Sequence, residues 1–430
     1  MTARSTTNAS TPHGESRMNI FRTISALVLL TLAASAAAER LPVGDFFKDP
    51  EFTSVSLSPT GEYITVSVPQ GDRTVLAAFR VAGMKLVGKW DYGPMRHIDR
   101  VRWVGEERFF MYVSRKLGRF DFRVGTPDVY ASNVDGTGRA DIPNGGTYQI
   151  VDMLWDDPES ILVQRSIDTA FLSKMSVKDG RVRTVATAPV TFGSFVVDHE
   201  AQARYVVGSE EDNSRVTMRR DGDEWTTVHR SEMGEAMRYP LMFDANNEKV
   251  IFSVSDHGEP ARLVLLEPGK SGEGELLSRN ANVEPGNYLI SSDERSLLAV
   301  QYLDGLPIYE FIDTEHAESK LYAGLIKAFP QRAVAFGGIS RDGRYVLIRA
   351  YSDVDPGSFY LFDRDTGKAR FLLAAMDWID PDKMSPMRPI SLTARDGTML
   401  PGATTGRNPS EAPLAAIARC SRSMSAATAA

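Results

Sequence analysis

The sequence predicts an all-β protein, a seven-bladed β-propeller made of four-stranded antiparallel blades. Three observations favour this fold. Short apolar strands alternate with glycine-containing turns along most of the chain. The same strand-and-turn unit recurs about seven times, and its period of roughly 42 to 52 residues is typical of propeller blades. The clearest copy covers residues 339–362, where the Asp342-Gly343 turn separates two strands.

Each copy begins with an apolar strand, a turn, and a second strand whose side chains alternate in polarity. The first halves of the copies are residues 56–66, 101–113, 153–164, 195–207, 241–254, 289–300 and 339–349. In the second half, a strand closes in a turn and a fourth strand completes the sheet. These turns include Asp135-Gly136, Asp179-Gly180, Asp221-Gly222, Pro268-Gly269 and Asp313-Thr314. An array of β-sandwiches is the alternative, but the regular unit favours a propeller over residues 39–383.

The N-terminal region has the form of a secretory signal peptide. Residues 24–34 are an apolar run that Arg22 precedes and the alanines of residues 36–38 follow. We expect cleavage after Ala36 or Ala38, which would make the protein periplasmic or secreted; an uncleaved anchor helix is the alternative. Because residues 1–17 are polar and do not fit this pattern, Met18 is the expected start, and residues 1–38 are leader and signal peptide.

Composition excludes several classes of function. The chain has 430 residues and a net charge of -7, and no basic run points to nucleic acid. The single cysteine, Cys420, allows neither an intrachain disulfide nor a cysteine metal cluster. After cleavage of the signal peptide, no association with a membrane is expected.

The end of the chain changes character. Residues 384–402 still predict a strand, a turn at Asp396-Gly397 and the beginning of another strand. Residues 403–430 contain no aromatic residue and no alternating pattern, so they cannot bury enough apolar surface to fold. We expect them to be disordered.

Three segments resemble the prolyl oligopeptidase family of serine peptidases: Ser58-Pro59-Thr60-Gly61, residues 46–50, and above all residues 391–398. The resemblance implies a propeller that covers the active site of a following α/β-hydrolase domain and admits only short or unfolded peptides. Such a domain would need roughly 250 residues, but only residues 403–430 follow Gly402. We expect a frameshifted or truncated gene; a natural short form is the alternative.

Serine peptidase chemistry requires a nucleophile elbow, usually Gly-x-Ser-x-Gly, together with a histidine and a carboxylate. The sequence contains no such elbow; residues 269–274 are the nearest match, with their glycines at the wrong spacing. The histidines are scattered without metal-ligand spacing, at His13, His97, His199, His229, His257 and His316. We therefore predict no catalytic, cofactor-binding or metal-binding residue and no cofactor.

Two acidic segments have two interpretations each. Residues 210–212 (Glu-Glu-Asp) could bind the amino end of a peptide, but a solvated hairpin turn is favoured. Asp152, Asp156 and Asp157, near Trp155, could bind a cation, but their spacing is not that of a calcium loop, which favours turn residues.

These observations lead to two hypotheses of function. In the first, the chain is the non-catalytic, substrate-gating propeller of a secreted prolyl-oligopeptidase-like serine peptidase, truncated before its catalytic domain and inactive alone. Its partners would be a peptide substrate or the missing hydrolase domain. In the second, the chain is a free-standing periplasmic propeller that binds peptides or proteins as a scaffold.

Overall fold

The computed structural model describes residues 1–2, 41–117, 123–166, 168–232, 235–256, 259–270 and 272–405. Almost all of the predicted signal peptide and residues 406–430 of the predicted tail lie outside these ranges. The chain forms two compact units, Met1–Lys48 and Asp49–Ala430. The first contains a 3-10 turn at Val43–Phe46, and all the sheets lie in the second. No helix in the described ranges is long and apolar enough to span a bilayer.

The first sheet has eight strands that form two antiparallel meanders of four. A single parallel bridge between Thr74 and His97 joins the two meanders. The strands are β1 (Ser54–Leu57), β2 (Tyr63–Gln70), β3 (Arg73–Arg80), β4 (Lys85–Trp90), β5 (Arg96–Trp103), β6 (Arg108–Lys116), β7 (Arg123–Asn133) and β8 (Ala140–Ile142).

The second sheet has seven strands and also contains two meanders, which share one strand. Its strands are β9 (Gln149–Asp152), β10 (Ser160–Ser166), β11 (Thr169–Ser176), β12 (Val182–Val197), β13 (Ala203–Ser209), β14 (Arg215–Asp221) and β15 (Glu224–Ser231). The shared strand is β12, which has 16 residues. Its first part pairs with β11 and its last part pairs with β13. One continuous strand therefore closes one meander and opens the next.

Four smaller antiparallel sheets complete the fold. Two have four strands, namely β16 (Met237–Phe243), β17 (Val250–Ser255), β18 (Arg262–Leu266) and β19 (Glu275–Arg279), then β23 (Ala333–Ile339), β24 (Tyr345–Tyr351), β25 (Ser358–Asp363) and β26 (Lys368–Ala374). Between them lies a sheet of three, β20 (Pro285–Ile290), β21 (Leu297–Asp304) and β22 (Leu306–Phe311). The last is the hairpin β27 (Met387–Thr393) and β28 (Met399–Thr405). These antiparallel sheets are consistent with the predicted all-β propeller.

The structure corrects the prediction that every unit has four strands. After β22, the chain forms helix α1 (Ala317–Ala328) in place of a fourth strand. This segment contains good helix formers such as alanine, leucine, lysine and glutamate, and its apolar residues recur at helical spacing. His316 caps the helix by accepting a hydrogen bond from the Glu318 amide at 3.2 Å. At the other boundary, β28 continues to Thr405, beyond the expected limit at Gly402.

Seven clusters of buried side chains hold the meanders together, and six of them lie between meanders that follow one another along the chain. The seventh connects the final meander back to the first, with Leu347, Phe359 and Leu361 packed on Leu57 and Ile64. Such packing is possible because alternate side chains of a strand point to opposite faces of its sheet. The cores therefore connect the meanders in a closed series.

A substitution at this closing core tests how much the fold depends on it. Phe359 is 8% exposed and packs edge-on to Phe52, with ring centres 5.8 Å apart. We expect Phe359→Ala to lower the free energy of unfolding by about 3 to 5 kcal/mol, because it leaves a cavity between the first and last meanders. The measurement is urea unfolding followed by circular dichroism.

Phe371, on the adjacent strand β26, is the matched control because its side chain is 55% exposed. Phe371→Ala should lower the free energy of unfolding by about 1 kcal/mol or less. Equal losses for the two variants would contradict a stabilising role for the core between the first and last meanders.

A buried histidine lies at the bridge between the first two meanders. His97 is 2% exposed, and its Nδ1 is 2.9 Å from the Thr74 hydroxyl. Its Nε2 has no hydrogen-bond partner among the described residues. Burial lowers the pKa of His97, and the Arg123 guanidinium lowers it further while Asp99 opposes that effect.

This lowered pKa predicts acid sensitivity. The unfolded chain takes up a proton at this residue near its ordinary pKa of about 6.5, whereas the folded chain resists protonation. The free energy of unfolding should therefore fall as the pH drops below about 6.5. In His97→Gln this part of the pH dependence should disappear, which thermal unfolding between pH 7 and pH 5 can measure. An unchanged slope in the variant would show that other groups cause the effect.

Candidate functional site

A cavity of about 700 Å³ lies where the first strands of six meanders converge. Residues from β1, β5, β9, β16, β20 and β23 line it, including Leu57, Trp103, Val151, Met242, Leu289 and Phe336. Its volume falls within the roughly 300 to 1,000 Å³ of typical ligand pockets. The cavity is therefore a product of the whole arrangement of sheets, because no single meander forms its wall.

The cavity wall is mainly uncharged and contains several aromatic side chains. Arg102, Glu294 and Arg341 are the charged residues among those that line it. The aromatic lining residues are Trp103, Trp155, Tyr288, Tyr309, Tyr322, Phe336 and Tyr351. Such a wall offers apolar surface and hydroxyl groups, so an uncharged peptide segment can bind there without burying an unpaired charge.

Hydrogen bonds fix two of these tyrosines. The Tyr309 hydroxyl donates to the Val334 carbonyl at 3.1 Å and accepts from the Gln301 amide at 2.9 Å. The Tyr322 hydroxyl donates to the Glu318 carboxylate at 3.3 Å. Burial raises the pKa of Tyr309 above its ordinary value and raises the pKa of Tyr288 to about 12. These phenols are therefore neutral at physiological pH.

A second cavity, of about 460 Å³, lies beside the turns that follow β9, β12, β20 and β23. Six carboxylates line it, namely Asp152, Asp156, Asp157, Glu200, Asp293 and Glu294, together with the basic side chains Lys174, Arg295 and Arg341. Trp155, Ser292, Glu294 and Arg341 line both cavities. We call this second space the outer cavity and the larger one the inner cavity.

The turns beside the outer cavity share one construction. Three of them begin at a buried serine or aspartate, namely Asp198, Ser291 and Ser340. In each, the backbone carbonyl of that residue accepts a hydrogen bond from the backbone amide of the residue three positions later. That later residue has a positive φ: Ala201 at 58°, Glu294 at 62° and Gly343 at 70°. Each turn is fixed by its own hydrogen bonds, so the side chains that it carries are held at defined positions.

Two contacts cross the inner cavity between distant meanders. The Arg102 guanidinium lies 3.6 Å from the Glu294 carboxylate. The Arg341 guanidinium carbon lies 5.0 Å from the centre of the Trp155 ring, which is cation–π geometry. Burial raises the pKa of Glu294, and Arg102 opposes that rise.

Helix α1 positions the turn that carries Glu294. The Glu318 carboxylate accepts two hydrogen bonds from Ser292, one from its backbone amide at 3.0 Å and one from its hydroxyl at 2.7 Å. The same carboxylate accepts the Tyr322 hydroxyl from the cavity wall. One side chain therefore connects the helix, the turn and an aromatic lining residue.

The acidic residues singled out from the sequence make contacts typical of turns. Asp152 accepts the Leu154 amide at 2.7 Å, and Asp157 accepts the Glu159 amide at 3.2 Å. Asp157 also pairs with Lys174, and the hydrogen bond from that lysine lowers the pKa of Asp157. These partners agree with the interpretation of both aspartates as turn residues, although both also line the outer cavity.

The segment 210–212 lies in the turn between β13 and β14 and lines neither of the two cavities. Glu210 and Asp212 both pair with Arg230 of the neighbouring strand β15. Asp212 also accepts the Ser214 amide at 2.9 Å. Two of the three acidic side chains thus have a cationic partner within the same sheet.

The structure does not bring the histidines together. His97 is buried in the first sheet, His199 borders the outer cavity, His229 lies on β15 and His316 caps α1. His13 and His257 are outside the described residues. Within the described ranges, no group of three or more histidines, cysteines, aspartates and glutamates has the geometry to hold a metal ion.

Comparisons with known proteins show similarity at the level of fold. No protein-family model matches the sequence, and no curated protein does. A solved prolyl endopeptidase superimposes with a TM-score of 0.53 at 12% identity, covering 92% of this chain and 61% of its own. The fold is similar to that of prolyl oligopeptidases. Prolyl oligopeptidase B from Galerina marginata, with a bound 25-residue macrocyclization substrate, gives a TM-score of 0.52 at 12% identity, covering 82% of this chain and 55% of its own.

This chain therefore spans somewhat more than half of the length of these two peptidases. Since the identity is only 12%, the similarity establishes the fold and does not extend to activity. The extent of the match fits the propeller part of the prolyl oligopeptidases, which is the resemblance that the sequence motifs indicated.

The Glu318 contacts lead to a test of how the cavity wall is held. We expect Glu318→Ala to lower the free energy of unfolding by about 1 to 3 kcal/mol, because it leaves the Ser292 and Tyr322 groups without their charged acceptor. Glu315 is the control because its side chain is 87% exposed and pairs with Lys320. Glu315→Ala should cost less than about 1 kcal/mol. The measurement is urea unfolding of both variants. Equal losses in the free energy of unfolding would contradict the role of Glu318 in holding the turn and the cavity wall.

Proposed function

We propose that this chain is the non-catalytic, substrate-gating part of a prolyl-oligopeptidase-like serine peptidase, and that it forms a seven-bladed propeller. We also propose that it is exported through an N-terminal signal peptide. The observation that carries the proposal is the inner cavity, which the first strands of six meanders line in a fold similar to that of prolyl oligopeptidases.

The sheet topology supports a count of seven blades. The eight-stranded sheet provides two blades, and the seven-stranded sheet provides two that share β12. The sheets that start at β16, β20 and β23 provide three more. Seven buried clusters lie between successive blades, and one of them joins the last blade to the first.

The inner cavity can act as a size filter. A folded domain of 100 residues has a radius of gyration of about 13 Å, so it cannot enter a space of this volume. An extended peptide can enter, since its backbone is narrow and its uncharged side chains can contact the tyrosine-rich wall. Gating of this kind admits short or unfolded peptides and excludes folded proteins.

The terminal hairpin is a suitable connection to a catalytic domain. Strands β27 and β28 are exposed on both faces, with the apolar side chains of Met387, Leu392, Met399 and Leu400 in solvent. An isolated two-stranded hairpin is only marginally stable in water. We propose that in the intact enzyme this hairpin continues into the sheet of the hydrolase domain.

The proposal predicts that the 430-residue chain has no peptidase activity of its own, since its sequence lacks a nucleophile elbow. The measurement is the hydrolysis of a fluorogenic proline-containing peptide by the purified chain. A control reaction contains an inhibitor that reacts with catalytic serines. Hydrolysis that this inhibitor abolishes would contradict the proposal.

The gene distinguishes this proposal from a free-standing scaffold. We expect an alternative reading frame after the Gly402 codon to encode a Gly-x-Ser-x-Gly motif within hydrolase strands. A stop codon without hydrolase sequence in any frame, together with peptide binding by the purified chain, would instead favour a propeller that acts by binding alone.

A further inference from the structure

We propose that the Arg102–Glu294 and Arg341–Trp155 contacts form a latch that closes one end of the inner cavity, so that a peptide can pass through that end only when the latch opens. The closure is independent of what the protein does. Only its consequence for peptides rests on the proposed gating function.

Strand direction defines the two ends of the cavity. The first strand of each meander runs toward the turn that connects it to the second strand, and four of these turns, those after β9, β12, β20 and β23, border the outer cavity. Because neighbouring strands are antiparallel, a fourth strand ends where the first strand began. Strand β26 and the β27–β28 hairpin after it therefore lie at the other end. We call these the turn end and the hairpin end.

The latch residues lie at the turn end and come from four meanders. Arg102 is on β5, Trp155 follows β9, Glu294 follows β20 and Arg341 follows β23. Trp155, Glu294 and Arg341 line both cavities, as expected for side chains that separate one space from the other. Each contact spans the space between meanders that are not neighbours in the sheet order.

The backbone beneath the latch is fixed. Glu294 and Leu154, the residue before Trp155, have φ values of 62° and 47°, a conformation that residues other than glycine rarely adopt. Such conformations persist only where the surrounding structure enforces them. The Arg341 amide donates to the Pro59 carbonyl at 2.7 Å, which ties this turn to the one that follows β1. Opening therefore requires rotation of side chains, and the turns themselves can remain in place.

The two contacts are suited to reversible closure. Ion pairs with solvent access contribute little free energy and are screened by salt. Cation–π contacts of an accessible arginine are also modest. The latch should be closed most of the time but easily disrupted, and raised ionic strength should weaken its Arg102–Glu294 half.

Cysteine labelling tests the closure because the sequence contains only Cys420, which Cys420→Ser removes. Ser56→Cys places a reporter on β1 in the wall of the inner cavity. Asn287→Cys places a second reporter near the start of β20, toward the hairpin end. The probe is a maleimide coupled to a bulky polyethylene glycol chain, and the measured quantity is its rate of reaction with each reporter.

Removal of both contacts by Trp155→Ala and Glu294→Gln should raise the labelling rate at Ser56→Cys by about tenfold, which corresponds to about 1.4 kcal/mol. The rate at Asn287→Cys should not change, which also shows that the fold is intact. Equal rates at Ser56→Cys with and without the latch would overturn the proposal.

A charge exchange separates the latch from a general structural effect. Arg102→Glu alone should speed labelling at Ser56→Cys, because two carboxylates then face each other. Arg102→Glu combined with Glu294→Arg should restore slow labelling by re-forming the pair. Failure of the exchange to slow the reaction would overturn the role of this ion pair. Neither result depends on peptidase activity or on the gene downstream, so failure of the latch is distinguishable from failure of the proposed function.

Discussion

The structure depends on one constraint, which is that every meander has two apolar faces and can bury them only against its neighbours. Strand β24 shows this most directly, since Val346 and Ile348 pack toward the preceding meander and α1, whereas Leu347 packs toward the first meander. All three side chains are fully buried. Because each face needs a partner, an open row would leave the first and last faces in water. Contact between the final and first meanders removes that cost and at the same time encloses the cavity.

Much of the fold could be predicted from local sequence patterns. Strand alternation and Asp-Gly turns located most strands, and glycines such as Gly136, Gly180 and Gly222 have the positive φ that these turns require. Helix α1 was missed because its position in the repeat predicted a fourth strand, although Tyr322 and Leu325 have the spacing of one helix face. The sharing of β12 was also missed, since one long strand and two short strands have the same alternating pattern.

The candidate site was far less predictable. In the sequence, Trp155 is notable only for the aspartates beside it, and nothing in its local sequence indicates a contact with Arg341. The pairing of Arg102 with Glu294 likewise depends on how the first strands converge. Contacts of this kind follow from the closed arrangement of sheets, so they become visible only when the whole chain is folded. The sequence located the turns, but it could not show which turns face each other across a cavity.

The shared strand β12 has a mechanical consequence. Backbone hydrogen bonds connect all seven strands of its sheet, so the two meanders in that sheet cannot separate without breaking some of those bonds. Between β26 and β1, by contrast, the described strands form no ladder, and the contact is made mainly by side chains with a few isolated hydrogen bonds. The other boundaries between separate sheets likewise have no ladder among the described strands. Thermal fluctuation that widens the molecule will therefore be taken up at these boundaries, including the one between β26 and β1, and not within the sheet that β12 unites.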